Sequence, residues 1–444
     1  MWTIHFFTLF CSAILLIYLF KRGGYVEFPF LAAMMLLGWF VPQLYIFASN
    51  RTYDSFLIDP LVIFAALSVG ALLLGWQFGR SWGLKAANNA ETERSFDFRT
   101  DISSDTITLW PLALLTVFVI IIQVLVLNIQ QSTLERGGPT GVITILAFLA
   151  DLRSIGLAFS LILFLSRPSM PVLVLLLGNL ACFFPSIVLQ VKRNDIVEVC
   201  FVVIASYWLV KRKLVPRLLI AAGSAGILVL VSSISQLRRI TGFETTQFGE
   251  RQVAMPSFSD IAEIDFMQGL KDTFTSASLE VQNAAYFMNY INENSMWSYG
   301  GQFWNRLVKL YVPGQFVGQD TKDSLYQGLF LYGEEFSRTF YQRSEGSTIT
   351  GFTQAFADFS YAGCLVFLVT GFFIGRAFGS ALTGSLTAAV FYIGTTVVAL
   401  HALTHDSYWY LAFAPFYLAI AWLLIRFSRR DTYMRTVVQA PAAI

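Results

Sequence analysis

An all-α polytopic membrane protein carrying one large polar loop is the fold class this sequence predicts, and three observations predict it. The chain is 56% hydrophobic and 13% charged, whereas a soluble domain carries about 25% charge. Apolar stretches of about 20 residues, the length needed to cross a bilayer, recur along it. From about Gln236 to Thr350 that pattern gives way to polar and aromatic residues. A soluble core cannot absorb so many apolar stretches, so a lipid bilayer is the first expected partner. The net charge of +2, with no basic domain, gives no reason to expect nucleic acid.

Length and apolar content place about eleven helices, at 3–20, 28–48, 57–79, 107–128, 142–165, 171–189, 194–210, 214–234, 352–375, 381–400 and 408–426. The expected units are an N-terminal bundle (1–234), the large loop (235–351), the last spans (352–426) and a tail (427–444). Asp151 and Arg153 interrupt the fifth span. The polar, mixed-charge stretch from Ala86 to Asp105 reads as a flexible connection. Cys11, Cys182, Cys200 and Cys364 all fall in apolar segments, where cysteine packs as a small hydrophobe.

Charge orients the bundle. No basic run precedes the first span and Lys21-Arg22 follows it, the reverse of a cleavable signal. With the amino terminus outside, the cytoplasmic loops hold Lys21, Arg22, Arg80, Lys85, Arg94, Arg99, Arg167, Lys211, Arg212, Lys213, Arg217 and Arg376, and the tail adds Arg426, Arg429, Arg430 and Arg435. The opposite short loops hold only Arg51, Arg136, Lys192 and Arg193. Basic residues favour the cytoplasmic side, so the carboxy terminus is expected inside and the large loop outside.

Within the loop, apolar residues at helical spacing predict a helix over Ser257 to Asn294. Tyr299, Trp304 and their aromatic neighbours suit stacking on sugar rings, and equally suit anchoring at the membrane interface. Lys192-Arg193, Arg238-Arg239, Arg306 and Lys309 gather cations on the outer face. They fit a phosphate or diphosphate, or anionic lipid headgroups. His401 and His405, four apart, share one face if helical, and Asp406 is placed to orient an imidazole as general base. No third ligand accompanies the two histidines, so neither a metal nor another cofactor is expected. Asp358 and Glu280 are the next carboxylates to consider as a base.

Tyr299-Gly300-Gly301 with Val312-Pro313-Gly314, then Gly351-Phe352-Thr353 and Ala357 through Gly363, resemble the loop signature of the O-antigen and exopolysaccharide repeat-unit polymerases, the Wzy group. Lys192-Arg193-Asn194-Asp195 at a helix start is similar to their outer basic motif. The resemblance covers mainly residues 190 to 375. It implies a GT-C-like helical glycosyltransferase in the bacterial cytoplasmic (inner) membrane, joining undecaprenyl-diphosphate-linked oligosaccharides. A chain-length regulator protein is a further implied partner. The expected catalytic residues are His405, His401 and Arg193. Lys192, Arg238, Arg239, Arg306, Lys309, Trp304 and Tyr299 are expected to bind substrate. Relatives often carry Arg where this chain has Gly314, and Arg306 or Lys309 is expected to substitute. The rival readings are an O-antigen ligase-like enzyme and a lipid-linked saccharide flippase or transporter, the latter requiring charges inside the bundle.

Reporter fusions at Ala90 and Arg430 should read cytoplasmic, and a fusion near Gly300 external. A cytoplasmic reading at Gly300 would reverse the orientation.

Overall fold

In a computed structural model, residues 1–49, 55–88, 107–132, 142–189, 193–213, 279–312, 314–327 and 348–429 are described, with a few isolated positions between. The helices are α1 (Trp2–Phe20), α2 (Phe28–Ser49), α3 (Ser55–Asn88), α4 (Trp110–Ser132), α5 (Val142–Ala150), α6 (Arg153–Ser166), α7 (Met170–Ala181), α8 (Arg193–Lys211), α9 (Leu279–Glu293), α10 (Gly301–Tyr311), α11 (Thr350–Phe359), α12 (Cys364–Leu382), α13 (Leu386–Thr404) and α14 (Trp409–Ser428).

Among the described residues, eight helical segments are long and apolar enough to cross a membrane, against the about eleven expected from the sequence. Two expected spans exist as helices but fall short. The apolar part of α4 that is described covers only Trp110–Val126. Helix α8 carries Arg193, Asp195, Glu198 and Lys211 within 19 residues, too many charges for a purely apolar span. The expected helix at 214–234 lies outside the described residues. So does most of the loop helix expected over 257–294, of which α9 is the described part.

Two breaks shape the bundle. The fifth span divides at Asp151-Leu152 into α5 and α6, where the sequence placed its charges. The span expected at 352–375 is instead a hairpin. Helix α11 ends at Ser360, whose φ of 52° is strained for a residue with a side chain. Ser360–Gly363 then form a 3₁₀ turn into α12. Gly363 lies so near α11 that a Cβ there would stand 2.1 Å from the Ala355 carbonyl oxygen. Phe352 meets Phe367 across the hairpin at 5.5 Å between ring centroids. Hydropathy hid this turn because both arms are apolar.

The close partner of α12 is α3. Gly75 and Gly79 face Gly371 and Gly375 at four-residue spacing, so the two backbones meet with no side chain between them. A Cβ at Gly79 would lie 2.0 Å from the Phe372 carbonyl oxygen, and one at Gly371 2.2 Å from that of Leu72. Small residues at this spacing let membrane helices pack closely where dispersion, not exclusion of water, drives association. Helix α13 is the central post. Its Gly394 admits Ile155 of α6, and Tyr392 donates to the Val26 carbonyl at 2.6 Å. Its last turn carries His401 and Thr404.

Helices α9 and α10 rest on that end of the bundle. Asn283 donates to the Thr348 carbonyl at 2.8 Å, and the Val281 N–H to Gln43 Oε1 at 3.3 Å. Phe287 and Ile291 bury against Ile349, Ala357 and Trp297. The loop segments are thus held to the spans by hydrogen bonds and by apolar contact.

The glycine contact yields a test with an internal control. Gly79→Ala must push backbone from backbone and should destabilise the purified protein by roughly 1–3 kcal/mol, the cost of overpacking. Gly70→Ala in the same helix meets nothing within 4 Å, and alanine's helix preference of about 1 kcal/mol should leave it neutral or better. Thermal unfolding in detergent measures both. Equal melting of the two variants would refute the tight α3–α12 contact.

Candidate functional site

Asp358, in the last turn of α11, has no exposed surface. Its Oδ1 accepts from the Ser298 hydroxyl at 2.6 Å and from the Gln302 N–H at 3.0 Å. Its Oδ2 accepts from the Tyr408 hydroxyl at 2.5 Å. Gln302 is the second residue of α10, so the carboxylate meets a helix N-terminus, where free N–H groups and the helix dipole both favour negative charge. Tyr408 immediately precedes α14. One side chain therefore fixes the start of α10 against the start of α14. A carboxylate so fully hydrogen-bonded is a structural group, not the spare base that the sequence offered.

Arg306 lies one helical turn beyond Gln302. Its guanidinium stands 4.0 Å over the Trp409 ring and 5.7 Å from that of Phe413. Its Nε is 3.4 Å from Asp406 Oδ2, and Asp406 Oδ1 accepts the Tyr408 N–H at 2.9 Å. The Arg306 side chain is only 10% exposed, yet among the described residues its buried Nε and Nη2 have no hydrogen-bond partner. Buried polar groups are nearly always paired, so these donors stand unanswered, and an acceptor meets them only once the groups covering them move aside. Lys309 follows three residues on. Burial of its ammonium pushes its pKa down, Arg306 and Lys322 add like-charge repulsion, and Asp406 opposes them. The side chain as a whole is nonetheless exposed, so the crowding is confined to its tip. Lys322 reaches back to donate to the Lys309 carbonyl at 3.3 Å. Arg306, Lys309 and Lys322 thus gather near Asp406 and Asp323.

The two histidines close one side. Their ring centroids are 5.1 Å apart, and His401 meets Trp409 edge-on at 5.8 Å. His401 Nε2 is 2.8 Å from Asn194 Nδ2. With the amide so oriented, Asn194 donates and His401 carries its proton on Nδ1. His405 Nδ1 is 2.6 Å from the Thr404 hydroxyl. Asp406, expected to orient an imidazole, instead pairs with Arg306 and caps Tyr408. Burial lowers the His405 pKa, with Asp406 opposing, so the ring is neutral at pH 7.

The structure brings together four of the ten expected site residues: His401, His405, Arg306 and Lys309. Trp304 is two positions from Arg306, about 200° round the helix, and is half-exposed with its indole N–H donated to the Leu325 carbonyl at 2.8 Å. Tyr299 is 79% exposed with φ 47°. Both rings lie on the outer surface. Arg193 begins α8 one residue from Asn194, and its side chain is outside the described set. Lys192, Arg238 and Arg239 also lie outside it. Sequence reasoning missed Asn194 as a histidine partner, Trp409 as the guanidinium platform and Lys322. Of these only Asn194 carried a signal, its place inside the basic motif.

Below Asn194 a buried network steadies α8. Arg153 donates to Asp195 at 2.7 Å and to the Ser186 hydroxyl at 2.8 Å, and lies 4.3 Å over the Phe183 ring. Ser154 donates to Glu198. Among the described residues no group of three His, Cys, Asp or Glu is placed to hold a metal. A lateral groove of about 540 Å³ between α1 and α3, lined by Trp2, Phe6, Phe10, Val62 and Ile63, shares no residue with the cation cluster.

If the unanswered donors of Arg306 take an anion, inorganic pyrophosphate should raise the melting temperature of the purified protein by linkage. Arg306→Lys keeps the charge and loses the fork, and its apparent pyrophosphate affinity should fall about tenfold, or about 1.4 kcal/mol. An unchanged pyrophosphate response would remove Arg306 from anion binding. Comparison with protein-family models, with characterised proteins and with solved structures finds no match to this chain, so its own geometry and the motif resemblance bear the functional reading.

Proposed function

We propose that this chain is a membrane glycosyltransferase that joins lipid-diphosphate-linked oligosaccharide repeat units, the activity its motifs imply by resemblance. One observation chiefly supports the reading: a buried guanidinium, stacked on an indole and with donors left unanswered among the described residues, stands with two further cations near a neutral imidazole. The reaction needs those two functions together. A sugar hydroxyl of one repeat unit attacks the anomeric carbon of another, and its proton passes to the His405 ring. The bond from the anomeric carbon to the diphosphate breaks, and the lipid diphosphate departs with its negative charge. Arg306, Lys309 and Lys322 offset that charge as it develops, which is the largest electrostatic demand of such a step. Asn194 holds His401 in one tautomer beside the same site. The substrate is the undecaprenyl-diphosphate oligosaccharide, and the setting is the outer face of the bacterial cytoplasmic membrane.

A ligase that transfers finished polymer uses the same chemistry on another acceptor. Transport is the second reading, favoured by one observation. Arg153, Asp195 and Glu198 are buried inside the bundle beside the α5–α6 break, and charges at a broken helix are a feature of transporters. Arg153 stands about 20 Å along α6 from its far end, by the helical rise, on the side of the bundle next to Asn194.

Purified protein given a lipid-linked oligosaccharide should yield a ladder of longer chains. Arg306→Ala should slow it at least tenfold, since one charge-assisted contact contributes roughly 1.5–3 kcal/mol. The depressed His405 pKa sets the pH window. The neutral base persists above the ordinary histidine value of about 6.5 and for some distance below it, so activity should hold through pH 6.5 and fall only at lower pH. His405→Asn should lose most activity at every pH. Translocation of the lipid-linked saccharide with no ladder would favour transport, and normal ladders from His405→Asn would exclude this residue as base.

A further inference from the structure

Helix α10 does not end in water above the membrane. The hydroxyl of Tyr311, its last residue, donates to the Ala412 carbonyl at 2.5 Å, and its ring meets Phe148 edge-on at 6.5 Å. Ala412 belongs to the first turn of α14, and Phe148 packs at 4.5 Å on Phe416, one turn deeper. The end of α10 is therefore seated level with the first turn of a membrane span.

The chain leaving that point makes two short helical turns, Gly314–Val317 and Gln319–Ser324. Lys322 folds the second back onto α10 through the Lys309 carbonyl. At the tip, Phe316 is 85% exposed, with Val317 at 45% and Tyr311 at 46%. Bare apolar side chains are a liability in water. Beside a span's first turn, with Lys309 and Lys322 flanking them, they have the composition of an interfacial element, with aromatic rings at the acyl–headgroup boundary and lysines at the phosphates.

We propose that residues 311–325 form a membrane foot, inserting Phe316 and Val317 into the interfacial region of the leaflet beside α14. The exposed tip follows directly from a residue seated level with the first turn of a span, so its occupant is the bilayer itself. A consequence that rests on the glycosyl-transfer reading is that a lipid-borne diphosphate reaches Arg306 along the membrane plane, past Lys309 and Lys322. The insertion does not depend on that reading.

The test uses the full chain with an environment-sensitive fluorophore on Phe316→Cys or on Asp320→Cys, four residues apart and both exposed. The parent, whose four cysteines are buried or half-buried, is labelled in parallel as background. Each is reconstituted into phosphatidylcholine–phosphatidylglycerol vesicles, with or without lipids spin-labelled near the glycerol end of the acyl chain. The Phe316→Cys label should be blue-shifted and quenched at least threefold more than the Asp320→Cys label. Equal, weak quenching at both positions would place the tip in water and overturn the foot. A blue-shifted label at Phe316→Cys that lipid spin labels leave unquenched would show protein covering it, a second copy or another part of the chain, and would overturn it equally. Loss of glycosyl transfer alone would leave these outcomes unmoved.

Discussion

An unpaired carboxylate buried at Asp358 would be expensive, because a charge removed from water needs nearly all its hydrogen-bonding capacity met. Three donors from two separate places in the chain meet it: the Ser298 hydroxyl, the Gln302 N–H and the Tyr408 hydroxyl. The loop helix α10 and the turn between α13 and α14 are thereby drawn to the same point. Arg306, Lys309, His405 and Asp406 stand within two turns of those donors, so their mutual geometry follows from how Asp358 is satisfied. The hairpin of α11 and α12 serves the same end. Gly363 lets α12 turn back against α11, and Gly351 lets α11 approach so closely that a Cβ there would stand 1.8 Å from the Ala402 carbonyl oxygen.

Around that anchor, the buried guanidinium groups are answered unequally. Arg153 and Arg306 are both buried arginines over aromatic rings, and the contrast between them is instructive. Arg153 sits inside the bundle and answers Nη1 and Nη2 with Asp195, Ser186 and the Cys182 carbonyl, so that among the described residues its Nε alone is left without a partner. Arg306 has an oblique contact with one carboxylate, and neither its Nε nor its Nη2 has a hydrogen-bond partner among the described residues. Guanidinium is weakly hydrated and tolerates an aromatic face, which makes the second arrangement sustainable until an anion arrives.

Hydropathy made the spans legible, because crossing a bilayer demands a fixed apolar length. The expected 3–20 and 408–426 differ by a few residues from Trp2–Phe20 and Trp409–Ser428. Composition alone does not carry the turn at Ser360, which lies between two apolar arms and is forced by packing at Gly363. In the site, individual residue types were legible and their partners were not. His401 and Asn194 are 207 positions apart, and nothing local in either segment announces the other. Asp406 was read as a partner for the neighbouring imidazole because they adjoin in sequence. The fold gives it to Arg306, a hundred positions earlier, because α10 crosses directly over that turn.

The chemistry gathers at one end of the bundle for a physical reason. Helices α6, α8 and α13 pack against one another, and Gly394 of α13 meets Ile155 of α6 at close range. The charges buried among them are tied to one another, and they fix the start of α8. Asn194 is thereby held one residue above Asp195, in reach of His401 on α13. A change at Arg153 would thus act on the site through the tilt of α8, by moving the amide that sets the His401 tautomer. The buried network and the cation cluster are then not separate devices: the first holds still the helix whose end completes the second.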